Sequence, residues 1–507
     1  MSKLLRNSLL VSFLSLGGAF LNFLSQIVIA GYFGANAERD AFFAASVIPA
    51  YINTIVAGSL GVVFLPKLID ARVNKQVTEV ELISGVAGFT LLFLALLGLG
   101  LAAFSNLLVG WLFPGFNTEE SRITALLIQV LCPAIIFQSY TSILSCVYHA
   151  EGKFLIPAGA HLITPLVNIA LVTLLYDHLG IVSLAIGTSL GYTIALLIVQ
   201  ARIPIKYRFQ PLLFLRSTAV AGCLRESIPW LLGGFVYRAN TIVERMVASR
   251  FPAGVISYLG YAGGLITTLS LITMNGIATT IFPRLAEAWS ARDRTKLQDL
   301  FGISLKFTFA LCVPIIISIL AFSDTIIKVL FERGAFSSSD TTHVAALLTI
   351  NTGAFIFICM NTIPGKLLYA TGTSKLAIAN GIIEVAIYIV AAFVLSDLFS
   401  YTGIAYAQIL STMCSTLFAA LILQMRFGVF NGQGLAGDMM KIVICGLVSY
   451  LVMISYKLWI DKATLVITIT LGGAGLAIYL LMVIHFLKEG RMIKNLLIAK
   501  IQSFYTS

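Results

Sequence analysis

The chain reads as an all-α integral membrane protein with fourteen transmembrane helices. Three observations predict this. First, apolar stretches of about twenty residues follow one another from end to end, separated only by short polar loops. A hydrocarbon core about 30 Å thick takes about 20 mostly apolar residues to cross as helix. With no water there to bond, the backbone must pair within itself. Second, the 507 residues are 59% hydrophobic and 11% charged, against about 25% charged in a soluble protein. The mean hydropathy is +0.96. Third, the Lys and Arg residues are distributed unevenly between alternate loops.

The spans fall at about 8–32, 41–65, 82–108, 123–147, 155–176, 180–201, 228–249, 256–282, 302–323, 342–369, 376–396, 402–425, 439–458 and 463–487. Lys3 and Arg6 precede the first without a small-residue cleavage site after it, so it reads as an uncleaved span rather than a signal peptide. If the N-terminus is cytoplasmic, 24 of the 33 Lys and Arg lie on the cytoplasmic side. Seven lie opposite, Arg39 among them, and Arg238 and Arg245 lie inside a span. The positive-inside rule then places both termini in the cytoplasm. Trp111, Trp230, Trp289 and Trp459 fall near span ends, as an aromatic belt predicts. The formal charge of +11 is thereby a membrane signature and not a nucleic-acid one. The seven Cys form no CxxC pair and sit mostly in apolar runs, as buried inert thiols do.

The chain repeats itself. "FLPKLIDA" at 64–71 matches "IFPRLAEAW" at 281–289, and the stretch ending "YHAEGKF" at 148–154 matches the one carrying "YATGTSK" at 369–375. "LGIVSLAIGTSLGYTIALLIVQ" at 179–200 echoes "TGIAYAQILSTMCSTLFAALILQ" at 402–424. The offset is 217 between Pro66 and Pro283 and 223 between Gly180 and Gly403. Six spans per copy is an even number, so both copies enter the membrane in the same sense and form a parallel repeat. The organisation expected is a six-helix lobe at 1–201, a linker at 202–227, a second six-helix lobe at 228–425, and two added helices with a tail at 426–507. The linker's "RIPIKYRFQPLLFLR" mixes basic and apolar residues, which suits either a segment lying on an anionic leaflet or a plain cytoplasmic loop.

No GxxxxGK[ST], HExxH or dinucleotide fingerprint occurs, and the five His have no metal-ligand spacing. No cofactor or metal is implied. The lack of an ATP-binding loop points away from a self-powered pump and towards a secondary transporter, a facilitator or a membrane-embedded enzyme. Charges within spans mark function by default, because each must face protein or a wet cavity. Arg238 and Arg245 are seven apart in span 7 and share a helix face, with Glu244 about 100° round from Arg245. Packing against neighbouring helices is the competing role. Lys366 and Glu384 lie near the ends of spans 10 and 11, where snorkelling serves Lys366 equally well. Asp40 follows "FGANAER" at the outer end of span 1 and is a candidate for the translocation path, with capping of span 2 as the competing role. Mid-span Gly and Pro, such as Gly17, Gly18, Pro133 and Pro314, suit helices that approach closely and bend.

"YFGANAERDAFFAASVIP" at 32–49, then "GSLGVVFLPKL", "GKFLIPAGAHLITPLVNIALV", "ASRFPAGVISYLGYAGGL" and "LFERGAFSSSDTTHVAALL" run in order along the chain. Together they resemble the MurJ/MviN flippases of the multidrug/oligosaccharidyl-lipid/polysaccharide exporter superfamily. The resemblance implies a V-shaped two-lobed bundle in a bacterial inner membrane. It implies a lipid-linked oligosaccharide as partner, membrane lipids around it, and a coupling ion or the membrane potential as driving force. The cargo would be an undecaprenyl-diphosphate-linked precursor, lipid II or an exopolysaccharide or O-antigen repeat unit. It would pass from inner to outer leaflet by alternating access. Asp40 falls on the family's acidic residue. The cavity arginines do not carry over: their positions hold Ala19, Ser25, Asn53 and Gly264. A diphosphate in a low-dielectric cavity needs Arg partners, which Arg238 and Arg245 would supply. Spans 1, 2, 7 and 8 are expected to line the cavity, with Asn53 and Gly264 facing it.

Two other classes compete. A cation-coupled multidrug exporter of the same superfamily needs membrane-buried carboxylates, and Glu244 and Glu384 are the interior candidates. An envelope-glycan polymerase or ligase needs clustered acidic or His residues in a long outer loop, and the longest, about 324–341, reads as structural.

Overall fold

The computed structural model describes residues 3–74, 79–204, 207, 222–223, 225–228, 231, 234, 239–430, 434–459 and 465–486. These residues are helical throughout, joined by turns and short loops, and twelve helices are long and apolar enough to cross a membrane. Span 7 is described in part, as Ala239–Ala248, and the end of the last span as the shorter apolar run Gly472–Phe486. The chain divides into two compact units, residues 1–260 with 331–340, and residues 261–330 with 341–507.

The first unit opens with α1 (Lys3–Phe33), α2 (Ala37–Ser59), α3 (Leu65–Asn74), α4 (Glu79–Ala103) and α5 (Ser105–Leu112). It continues with α6 (Thr118–Ala150), α7 (Leu155–Ala160), α8 (Ile163–Leu179), α9 (Val182–Arg202) and α10 (Ala239–Ala248). Local chemistry sets the ends. Asn36 caps α2, its carboxamide oxygen accepting from the Arg39 N–H at 2.9 Å. Asn117 and Glu120 close a capping box on α6. Between α2 and α3 the backbone widens to a π turn over Leu60–Phe64, with the Leu65 N–H bonded to the Leu60 carbonyl. Pro66 follows at once. Its ring has no N–H to give and crowds the carbonyl four residues back, so the wider turn relieves a place where the ladder is interrupted anyway. The helix thus continues through Val73, well past the predicted end of span 2 at 65. α4 breaks at Phe104 (φ −102°, ψ 16°) before α5 completes the crossing.

The core of this unit forms two clusters. One gathers Ile29, Phe33, Phe42, Val109, Leu127, Ile128 and Leu184; the other Phe64, Leu68, Ile83, Ile143, Leu144 and Val199. Residues 331–340 belong to the unit because they sit against the end of α1. The Ala335 N–H donates to the Gly31 carbonyl at 2.8 Å. Gly34 has φ +63°, and a Cβ there would overlap the Ala335 carbonyl, so only glycine serves.

The second unit holds most of α11 (Val255–Ser290), α12 (Arg294–Phe331) and α13 (Ser338–Ala370). It also holds α14 (Ser374–Phe399), α15 (Thr402–Phe427), α16 (Leu435–Trp459) and α17 (Leu465–Phe486). The last two, which lie outside the repeat, are attached to α12. Val313, Ile317 and Ala321 pack with Ile442, Cys445, Met453 and Tyr479. The Tyr479 hydroxyl donates to the Ala310 carbonyl at 2.8 Å, and Lys306 pairs with Asp438 at 2.8 Å. Leu99, Leu107, Trp111, Leu174, Leu398 and Met425 are each between 68% and 86% exposed. On a soluble protein such a surface would be a liability; beside helices long and apolar enough to cross a membrane it suits contact with lipid. Six of the seven Cys are buried and Cys414 is partly so, all as free thiols.

Candidate functional site

Because Asn36 already caps α2, Asp40 one turn further on is left for another partner. It caps a different helix. Its Oδ2 accepts from the Gly254 N–H at 2.6 Å, and its Oδ1 from the Ser257 N–H at 2.7 Å and the Ser257 hydroxyl at 2.5 Å. Gly254 and Ser257 open α11, so the buried carboxylate sits at the positive end of that helix. This corrects the competing role of Asp40 as a cap on its own span. Gly254 has φ +100°, and a Cβ would stand 2.9 Å from the Ala35 carbonyl and 3.2 Å from the Tyr258 hydroxyl. The close approach therefore needs glycine. Tyr258 extends the cluster, donating to Asp340 at 3.0 Å, and Asp340 accepts from the Ser337 N–H at 2.8 Å at the start of α13. Asp40 and Ser257 are 217 residues apart, the offset of Pro66 and Pro283. Equivalent positions of the two repeat copies meet here.

Arg39, counted above as a loop charge, is fully buried. Its Nη2 donates to Gln26 Oε1 at 2.8 Å, and its guanidinium lies 4.2 Å from the centre of the Phe43 ring. Arg245 comes to the other side of the same region. It is 7% exposed, donates from Nη1 to the Ile256 carbonyl at 2.7 Å, pairs with Glu244 at 3.3 Å, and lies 5.2 Å from the Phe43 ring. Arg245 also lines a cavity of about 240 Å³ with Phe43, Ser46, Tyr51, Thr54 and Thr241. Arg238 lies outside the described residues. Asn53 is buried, and its Oδ1 accepts from the Ser139 hydroxyl of α6 at 2.7 Å. It faces a neighbouring helix where an open cavity was expected. Gly264 is exposed and faces open space.

In the second unit Glu384 is half-buried and lies beside Ser415. The amide groups of Asn361 and Asn380 donate to the same Ser415 oxygen at 3.0 and 2.9 Å. Their own carbonyl oxygens are buried without a protein partner. Two amide NH₂ groups and a carboxylate thus converge on one hydroxyl. Lys366 is half-buried, its ammonium 5.6 Å from the centre of the Phe282 ring. Among the described residues no cluster of His, Cys, Asp or Glu has the makings of a metal site.

Sequence reasoning missed Arg39, Gln26 and Ser257. Each is tied to a partner far along the chain or hidden by a loop-like setting. For Arg39 the signal was present: it is flanked by Asp40, Phe42 and Phe43, the neighbours a buried guanidinium needs.

A family model described as "Lipid II flippase MurJ" matches residues 29–472. The chain belongs to the MurJ flippase family. It is a multi-pass membrane transporter. Curated relatives include a probable lipid II flippase MurJ from Vibrio cholerae, 25% identical over 451 residues and covering 85% of this chain and 84% of that protein. Another, from Rhizobium tropici, is 28% identical over 422 residues, covering 79% and 78%. Among solved structures, a lipid II flippase MurJ in an inward closed conformation aligns with a TM-score of 0.81 at 21% identity, over 94% of this chain and 98% of that one. An inward-facing multidrug resistance transporter of the MATE family aligns with a TM-score of 0.64 at 16% identity, over 81% and 94%. Both likenesses are of fold, and the MurJ match covers more of this chain.

Proposed function

We propose that this MurJ-family protein flips an undecaprenyl-diphosphate-linked envelope precursor, lipid II first among them, from the inner to the outer leaflet by alternating access. The observation that carries the reading is the Asp40 cap on α11. It is a buried, charge-assisted contact between equivalent positions of the repeat, at the end assigned by the charge bias to the outside. A contact of this kind is able to close one end and release it. Arg245, in its small cavity, is the cation for the diphosphate. The half-buried Glu384 carboxylate, with the unpartnered carbonyl oxygens of Asn361 and Asn380 on neighbouring positions, is the group for a coupling cation. The test is uptake of fluorescent lipid II across the bilayer of proteoliposomes holding the full chain. Transport is expected to accelerate several-fold under an inward sodium gradient, and Glu384→Gln to remove that acceleration while leaving downhill flipping. No flipping of lipid II above protein-free vesicles would sink the reading.

The orientation follows from the 24-to-seven charge bias. A reporter fused within 208–221 is expected to read cytoplasmic, and one within 331–340 external. Opposite readings at both sites would invert the direction of transport proposed.

A further inference from the structure

We propose that a cavity of about 510 Å³ in the first unit, bounded by α1, α2, α6, α8 and α9, is a saccharide subsite that takes an uncharged hexose or N-acetylhexosamine ring of the cargo. The inference rests on the flippase reading above and deepens it. The volume lies in the range of about 300–1,000 Å³ usual for small-molecule sites. None of the lining residues is an Asp, Glu, Lys or Arg. The cavity is polar all the same, with four carboxamides facing it from three helices: Asn22 and Gln26 on α1, Gln138 on α6 and Asn168 on α8.

Polar groups at this depth are costly unless they meet partners. If these amides only glued helices together they would bond one another. Asn22 and Gln138 make no side-chain hydrogen bond to protein among the described residues. Gln26 and Asn168 are each engaged on one side only. Gln26 Oε1 accepts from the buried Arg39 at 2.8 Å, and Asn168 Oδ1 from the Thr188 hydroxyl at 3.3 Å. In both, the bond occupies the oxygen and leaves the NH₂ as the free end. Two amides thus offer donors, and two offer a donor and an acceptor each. Hydroxyl and acetamido groups of a sugar match that set, since each hydroxyl both gives and takes a hydrogen bond. His161 and Tyr192 add planar faces for the apolar side of a pyranose ring.

The charge of the lining bears on the same point: Ala19 and its neighbours bring no ionised side chain, so the pocket is neutral. The cationic cavity of Arg245 lies on the neighbouring face of α2 and shares Ser46 and Ala50 with this one. A sugar joined directly to a diphosphate needs such adjacent compartments, one neutral and one positive.

The experiment compares two probes on the purified full-length protein by native mass spectrometry: lipid II and undecaprenyl diphosphate. The wild type is expected to bind lipid II more tightly. Gln138→Leu and Asn22→Leu, each removing an amide without breaking a protein hydrogen bond, are expected to weaken lipid II about tenfold and to leave undecaprenyl diphosphate unchanged. Thermal unfolding confirms the fold of each variant. Should one misfold, Thr188→Val with Asn168→Leu carries the same comparison. Equal loss for both probes, or no loss for either, overturns the subsite while the flippase reading stands. A wild-type protein that binds neither lipid overturns both.

Discussion

Asp40→Ala is expected to raise the rate at which a membrane-impermeant maleimide modifies a cysteine placed at Val255 by about two orders of magnitude, and to abolish lipid II flipping in the same vesicles. Val255 is 3% exposed, at the first turn of α11. It is covered while Asp40 holds Gly254 and Ser257. Hydrogen bonds to a charged group contribute about 1.5–3 kcal/mol each, and part of that is offset by the cost of burying the carboxylate. A net loss of about 3 kcal/mol is roughly a hundredfold in the equilibrium between covered and uncovered states. Asp40→Asn keeps an acceptor of the same shape and forfeits the charge and the favourable end of the helix dipole, so its effect is about tenfold. An unchanged modification rate in Asp40→Ala would show that the contact closes nothing.

That contact also marks where the sequence stops being informative. Asp40 was legible as unusual, an acid beside a turn and before an apolar run, and the nearest available role was to cap its own helix. Capping is local, and Asn36 fills that role four residues earlier. The real partner, 217 residues away, is set by the packing of the repeat, which a linear pattern does not contain. The repeat offset was in hand, and adding it to Asp40 gives Ser257. What was missing was any reason to expect equivalent positions to touch.

The apolar stretches were legible because the bilayer imposes one length and one backbone solution on all of them. Their ends were less so. α11 runs for 36 residues and α6 for 33, well past the hydrocarbon thickness. Hydropathy reports where water begins and says nothing of where helical hydrogen bonding stops. Asn53 failed for a related reason. Its position in the span was right, but a helix has several faces, and the Ser139 hydroxyl of α6 claims this one. The amide-lined cavity was invisible for the opposite reason. Asn and Gln scattered one or two per span carry no charge to draw attention, and only the fold gathers them.

The last expected result concerns Arg245, where packing and transport must be separated. Arg245→Ala removes the partner of Glu244 and the donor to the Ile256 carbonyl in a site 7% exposed. Breaking a buried pair from one side costs about 3–5 kcal/mol, so the single variant is expected to lose folded protein and transport together. Glu244→Gln with Arg245→Ala leaves no uncompensated charge. It is expected to recover most of the folded yield and to flip lipid II at under about a tenth of the wild-type rate, because the cation for the diphosphate is still absent. Arg245→Lys keeps the charge without the bidentate fork and should fall between. The measurement is flipping of lipid II in vesicles, normalised to protein that elutes as a single folded species. Wild-type flipping in the double variant would confine Arg245 to packing and remove it from the path of the cargo. Retained folding with lost flipping cannot be laid to an unpaired Glu244, because that pair is gone from both sides.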